Sequence, residues 1–248
     1  MGSYSFKLAT LALVVMLPMA GCGKGMTAAH LPDDPQTESE GAELPVGEGE
    51  IQNLPEPATV APSLDQRVQI LAKYQHLDPK HEVPVKLLET AVLYFDSHLS
   101  SIANQNYLSV IDFSQRSTKA RFYIIDMKSG AVWAIHTSHG KNSDPDGDGY
   151  ATSFSNKSGS NQSSLGMYKA AETYYGKHGL SMRLDGLSST NSNARARAVV
   201  LHQADYVQES AVVQGRSWGC PAVANENRDE VIRRLKGGSL IYAGLSAQ

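Results

Sequence analysis

Two side chains in this sequence are able to do covalent chemistry together: Cys220, in the stretch Ser217-Trp-Gly-Cys-Pro-Ala, and His202, which precedes Ser217 by 14 intervening residues. A thiolate attacks carbonyl carbon far better than a thiol, so a nucleophilic cysteine needs a nearby imidazole or a positive field to lose its proton. His202 is the candidate general base and acid, and Ser217 is a candidate acceptor for the proton on its other nitrogen. Gly219 permits a sharp backbone turn, and amides around Gly219 and Cys220 are candidate donors to an oxyanion. One Cys and one His at this spacing are also compatible with a buried structural thiol, so the surrounding residues have to decide.

Those residues resemble the murein L,D-transpeptidase family, whose signature is a histidine followed by Ser/Thr-His-Gly-Cys. The form Gly-Arg-Ser-x-Gly-Cys-Pro-Ala resembles a divergent branch of it. Upstream, Ser163-Ser-Leu-Gly-Met-Tyr168 is similar to the family's Thr-Pro-x-Gly-x-Phe segment beside the catalytic cleft. The likeness runs from about Ile111 to Gly244 and takes in Ser138-His-Gly140, Phe154-Ser-Asn156, Leu184-Asp-Gly186 and Val200-Leu-His202. Trp218 stands where the signature has a second histidine, and Ala222 where arginine or asparagine is common, which touches specificity more than nucleophile chemistry.

The resemblance implies a mainly β domain with added α, a β-sandwich of the L,D-transpeptidase type preceded by N-terminal helices. It also implies attack by Cys220 on a murein stem tetrapeptide, giving a thioester that an amine or water resolves. No metal or organic cofactor is needed. Arg216, Trp218, His139, Ser164, Gly166 and Tyr168 are the expected substrate-binding positions. Arg216 would supply a cation for a substrate carboxylate or serve as a structural arginine. His139 would line the cleft or act as a hydrogen-bonded structural group. Two competing readings are an exported cysteine peptidase or amidase that only hydrolyses, and a non-catalytic murein-binding lipoprotein.

The elements that must position these residues follow from pattern. Ser63 is a plausible N-cap for a helix carrying Leu64, Val68, Leu71 and Ala72 and stopping near Asp78-Pro79. A second helix is expected from Pro84 to about Ser100, with the apolar stripe Leu87, Leu88, Ala91, Val92 and Phe95. Strands are expected at Tyr107 to Phe113, Ala120 to Met127 and Ala131 to Thr137, the last two joined by a Lys128-Ser-Gly130 hairpin turn. The run Arg195 to Leu201 reads as a buried strand leading to His202. A helix from Asn225 to Leu235 and a closing strand from Ser239 to Ala243 follow.

The N-terminal quarter reads differently. Lys7 and an uncharged stretch from Leu8 to Ala20, too short to span a bilayer comfortably, form an export signal. Leu17-Pro-Met-Ala-Gly-Cys22 resembles the bacterial lipoprotein box, so residues 1–21 are expected to be removed and Cys22 lipidated, with simple cleavage as the alternative. Gly23 after that cysteine is similar to the pattern that sorts to the outer membrane, facing the periplasm, in a Gram-negative host. Residues 22–62 read as an acidic, proline-rich tether, and 63–248 as the catalytic domain. With Cys22 lipidated, Cys220 is a lone thiol in an oxidising compartment.

A formal net charge of -3 provides no attraction toward nucleic acid. The expected partners are peptidoglycan stem peptides and, through the anchor, a membrane. Asp144-Pro-Asp-Gly-Asp-Gly149 copies the first half of a calcium loop, but Ser155 stands where the bidentate glutamate belongs, so an Asp/Gly turn without a metal is expected.

Overall fold

The computed structural model describes residues 62–247. The expected export signal, Cys22 and nearly all of the expected tether lie outside them. Among the described residues there are three α-helices, α1 (Leu64–Lys73), α2 (Val85–Ser97) and α3 (Arg228–Leu235). The strands are β1 (Tyr107–Asp112), β2 (Phe122–Asp126), β3 (Val132–Ile135), β4 (His139–Gly140), β5 (Gly166–Gly176), β6 (Gly179–Gly186), β7 (Val200–Leu201), β8 (Arg216–Ser217) and β9 (Leu240–Gly244).

Seven strands form one mixed sheet in the order β3-β2-β1-β9-β5-β6-β7, and β4 pairs with β8 in a separate two-stranded parallel sheet. Only the β1–β9 pairing in the large sheet is parallel. The domain is thus mainly β with helices added, as the sequence implied.

The period of two along the strands sorts side chains to two faces. Leu108 and Val110 of β1 with Tyr123 and Ile125 of β2 meet the α2 stripe of Leu87, Ala91, Val92 and Phe95. Ile111, Phe122 and Ile124 turn to the opposite face and pack with Val231, Ile232 and Leu235 of α3, Leu201 of β7 and Val223. Fully burying one such large apolar side chain stabilises by about 1.5–3 kcal/mol.

α1 has the expected capping box, Ser63 Oγ accepting from the Gln66 amide and Gln66 answering at the Ser63 amide. Its apolar residues are only partly used, Ile70 and Leu71 being half-buried against the α2 cluster while Leu64 and Val68 are 76% and 61% exposed. The β2–β3 turn is as expected, with Gly130 at φ +76° and a Cβ there meeting the His76 carbonyl oxygen at 2.0 Å.

Two departures bear on the site. The long β5–β6 hairpin lies between the central strand β9 and the edge strand β7 and turns through Lys177 and His178 into Gly179. The run before His202 is a turn up to Ala198, with only Val200–Leu201 in the sheet. Ala198 takes φ +53°, a left-handed conformation that costs a non-glycine residue roughly 1–2 kcal/mol.

Candidate active site

β7 places the histidine and the cysteine on one edge. Successive odd and even residues of a strand point their backbone groups to opposite sides, so Val200, His202 and Ala204 share a side. The Val200 amide donates to Cys220 Sγ at 3.4 Å, the His202 carbonyl accepts from Val223 at 2.9 Å, and the Ala204 amide donates to the Val223 carbonyl at 3.0 Å. Residues 220–223 therefore run alongside 200–204, which holds Cys220 and His202 in one neighbourhood. The thiol also reaches the carbonyl of the strained Ala198 at 3.7 Å.

His202 is 1% exposed. Its Nδ1 lies 2.8 Å from the Gln203 carbonyl oxygen, an acceptor only, so that nitrogen carries the proton and Nε2 carries a lone pair. Burial, then the neighbouring His178, push its pKa down to about 4, so the ring is neutral at neutral pH. The His178 ring, from the β5–β6 turn, lies 4.3 Å centroid to centroid from it.

The orienting role expected of Ser217 thus belongs to the Gln203 carbonyl. Ser217 is fully buried and closes the turn that carries the cysteine. Its Oγ donates to the Cys220 carbonyl at 2.7 Å and accepts from the Gly219 amide at 3.1 Å. That Gly219 amide is spent inside the turn, not aimed at a substrate oxygen. Gly219 itself has φ +124°, and a Cβ there would stand 2.6 Å from the Gln162 carbonyl oxygen.

The remaining predicted positions separate into interior and surface. His139 is fully buried, its Nδ1 accepting from Arg121 at 2.7 Å and its Nε2 meeting Asp144 at 3.1 Å. Burial is the main cause that holds His139 near a pKa of about 4, and Arg121 near about 9. This buried bonding fits the structural one of its two expected roles.

Arg216, paired with His139 across β4–β8, is 8% exposed and donates to the Asp144 carbonyl, which fits the structural one of its two expected roles. Asp144 accepts from the Asp148 and Gly149 amides, so the acidic loop folds back on this interior cluster. The side chains of Asp144, Asp146 and Asp148 still bring oxygens within 4.8 Å of one another.

Ser164 and Tyr168 are buried and joined through their hydroxyls at 2.7 Å, so they support the site from beneath. Gly166, at φ +123°, lets β5 pass Ser188, whose Cβ a side chain there would meet at 2.7 Å. Trp218 is 38% exposed, a large apolar surface two residues from the thiol.

The site also contains a cation the sequence reading missed. Arg197 is half-buried, and its Nη2 would be 3.2 Å from a Cβ on Gly219. It belongs to the run read as a buried strand, and a charged residue inside that run was the available signal.

The sequence model of the family described as the L,D-transpeptidase catalytic domain matches residues 79–243, two thirds of the chain. No curated protein matches it. Among solved structures, an L,D-transpeptidase from Mycobacterium smegmatis is similar at 14% identity, 56% of this chain, 58% of that one and a TM-score of 0.35. The L,D-transpeptidase LdtMt1, solved in complex with imipenem, gives 14%, 56%, 59% and 0.35. Bd1075 of Bdellovibrio bacteriovorus gives 14%, 59%, 52% and 0.35. The chain spans less than two thirds of each of these three chains.

Proposed function

Because the chain belongs to the L,D-transpeptidase catalytic domain family, we propose that it is a cell-wall enzyme in which Cys220 opens a murein stem tetrapeptide and His202 carries the protons. The observation that supports this most is the shared edge of residues 200–204 and 220–223, with Sγ at the Val200 amide and His202 presenting a lone pair on Nε2. As Sγ attacks the carbonyl carbon, its proton passes to Nε2. Collapse of the tetrahedral intermediate breaks the C–N bond, and the same proton goes to the departing D-alanine amine. The thioester is then resolved by an amine, giving a cross-link, or by water, giving a trimmed tripeptide.

The decisive experiment incubates the protein with disaccharide-tetrapeptide and follows products by mass spectrometry. Wild type should release D-alanine and form a dimer or tripeptide. Cys220→Ala should abolish this, and His202→Ala should slow it by about a hundredfold or more, the usual scale of a general acid–base contribution. Products from the Cys220 variant equal to wild type would end the proposal. A folded wild type that binds murein without turnover would put a binding module in its place.

Trp218 provides the apolar wall for the bound stem peptide in this reading. Trp218→Ala should therefore raise KM several-fold with little change in kcat, because the contact is made equally in ground and transition states. A fall in kcat with unchanged KM would assign the residue elsewhere. Anchoring through Cys22 belongs to the same proposal, and a radiolabelled fatty acid incorporated by wild type but not by Cys22→Ala would test it.

A further inference from the structure

A neutral, buried imidazole is a weak base for a thiol. With His202 held near a pKa of about 4, a resting thiolate–imidazolium pair is strongly disfavoured, since the proton belongs on sulfur. Negative charge on Sγ then needs support from another source. The Val200 amide supplies one donor. Tyr168 and Tyr174 on β5 and Arg197 in the turn before β7 also stand within electrostatic reach of Cys220, and of these three Arg197 alone is positive. His178 lies against His202.

The bonding of Arg197 selects its role. Nη1 donates to the Ser155 carbonyl at 2.7 Å and Ser164 Oγ at 3.2 Å, and Nη2 to the Gln162 carbonyl at 2.6 Å and Ser160 Oγ at 3.2 Å. Each acceptor is neutral. The terminal nitrogens are committed to the 155–164 loop, so the guanidinium is not poised to form a two-pronged clamp on an incoming carboxylate. What it has left to offer is an unneutralised charge, fixed in place beside Gly219 in a partly water-excluded setting where fields act strongly. Ser164, which receives one of these bonds, is tied in turn to Tyr168.

We propose that Arg197 is the positioning cation of this site: locked by the 155–164 loop against the Gly219 turn, it stabilises the negative charge that forms on Cys220 Sγ as the proton leaves. The idea rests on the reading of Cys220 as nucleophile, and it requires no change in where the proton goes, which is solvent for the free thiol and His202 Nε2 during attack.

The test reads the sulfur directly. The full chain is alkylated with iodoacetamide across pH 5 to 10, and modification at Cys220 is followed by peptide mass spectrometry in wild type, Arg197→Gln and Arg197→Lys. Loss of the charge should move the alkylation profile to higher pH by about one unit, roughly a tenfold slower reaction at neutral pH, and lysine should restore most of it.

Lysine cannot reproduce the four loop bonds, so a purely structural role predicts that Lys and Gln fail together, with matching losses in melting temperature. That result, or a profile unmoved in Arg197→Gln, would overturn the proposal. Because alkylation needs no murein, a normal Arg197 effect beside absent turnover would sink the transpeptidase reading alone, and active enzyme with an unmoved profile would sink this one alone.

Discussion

Gly219→Ala should lower turnover on the tetrapeptide by at least about a hundredfold while leaving the protein folded. Two costs coincide at this position. The φ of +124° is a conformation open in practice to glycine, and an added Cβ would meet the Gln162 backbone oxygen at 2.6 Å and Arg197 Nη2 at 3.2 Å. Relief requires the Ser217–Cys220 turn to shift or the 162 carbonyl to withdraw, and either move loosens the Ser217 Oγ bond that holds the Gly219 amide. A displacement of about 1 Å at a nucleophile is enough for the predicted loss. Gly159→Ala is the control: its φ is +70° but nothing lies within 4 Å of the new Cβ, so only the conformational cost remains and turnover should hold. Near wild-type kcat in Gly219→Ala would mean that the turn does not set the geometry of the thiol.

The second large effect is on stability in acid. His139 and His202 titrate near 6.5 when unfolded but near about 4 when folded, burial being the first cause for both. Between those values the unfolded chain binds more protons than the folded one, so stability is intact above pH 6.5 and is lost as pH falls toward 4. Two such groups amount to a loss of about 5 kcal/mol by pH 4.5, comparable with the entire stability of many domains. Asp144 acts in the same direction over a lower range: burial alone would raise its carboxyl, but the bond with His139 outweighs this and holds it down to about 2, so its contribution is lost only as pH falls below the ordinary carboxylate value of 3.8 toward 2. Denaturant titrations at pH 7 and pH 4.5 should show this fall, and His202→Gln should remove about half of it. Equal midpoints at the two pH values would contradict the buried, neutral state of both rings.

Much of the scaffold was legible because it is repetitive. The α2 stripe and the alternation in β1 and β2 are readable from spacing alone, and Lys128-Ser-Gly130 marked its turn by the glycine it needs. The β5–β6 hairpin was not readable locally: Glu172, Thr173 and Tyr175 face solvent, and Lys177-His178 is not a strong turn signal. Leu64 and Val68 had helical spacing, but periodicity cannot tell an unpartnered apolar face from a buried one. At the site, the identities of Cys220 and His202 followed from their types and surroundings. The partners of Ser217, His139 and Arg216 did not, because they depend on β4 pairing with β8 across more than seventy residues of sequence. Arg197 was hidden by its neighbours, since an apolar run reads as a strand even where Ala198 bends the chain out of one.

The parallel neighbours β1 and β9 carry a consequence for the order of folding. β9 lies between β1 and β5 in the sheet order although it is the latest strand in sequence. Until β9 is in place, the β1–β3 meander and the β5–β6 hairpin share no edge, and each presents an unpaired strand. Contacts this distant in sequence close slowly, so completion of the sheet waits on β9, and until it inserts the half-made sheet stays open to partners that recognise unfolded chains.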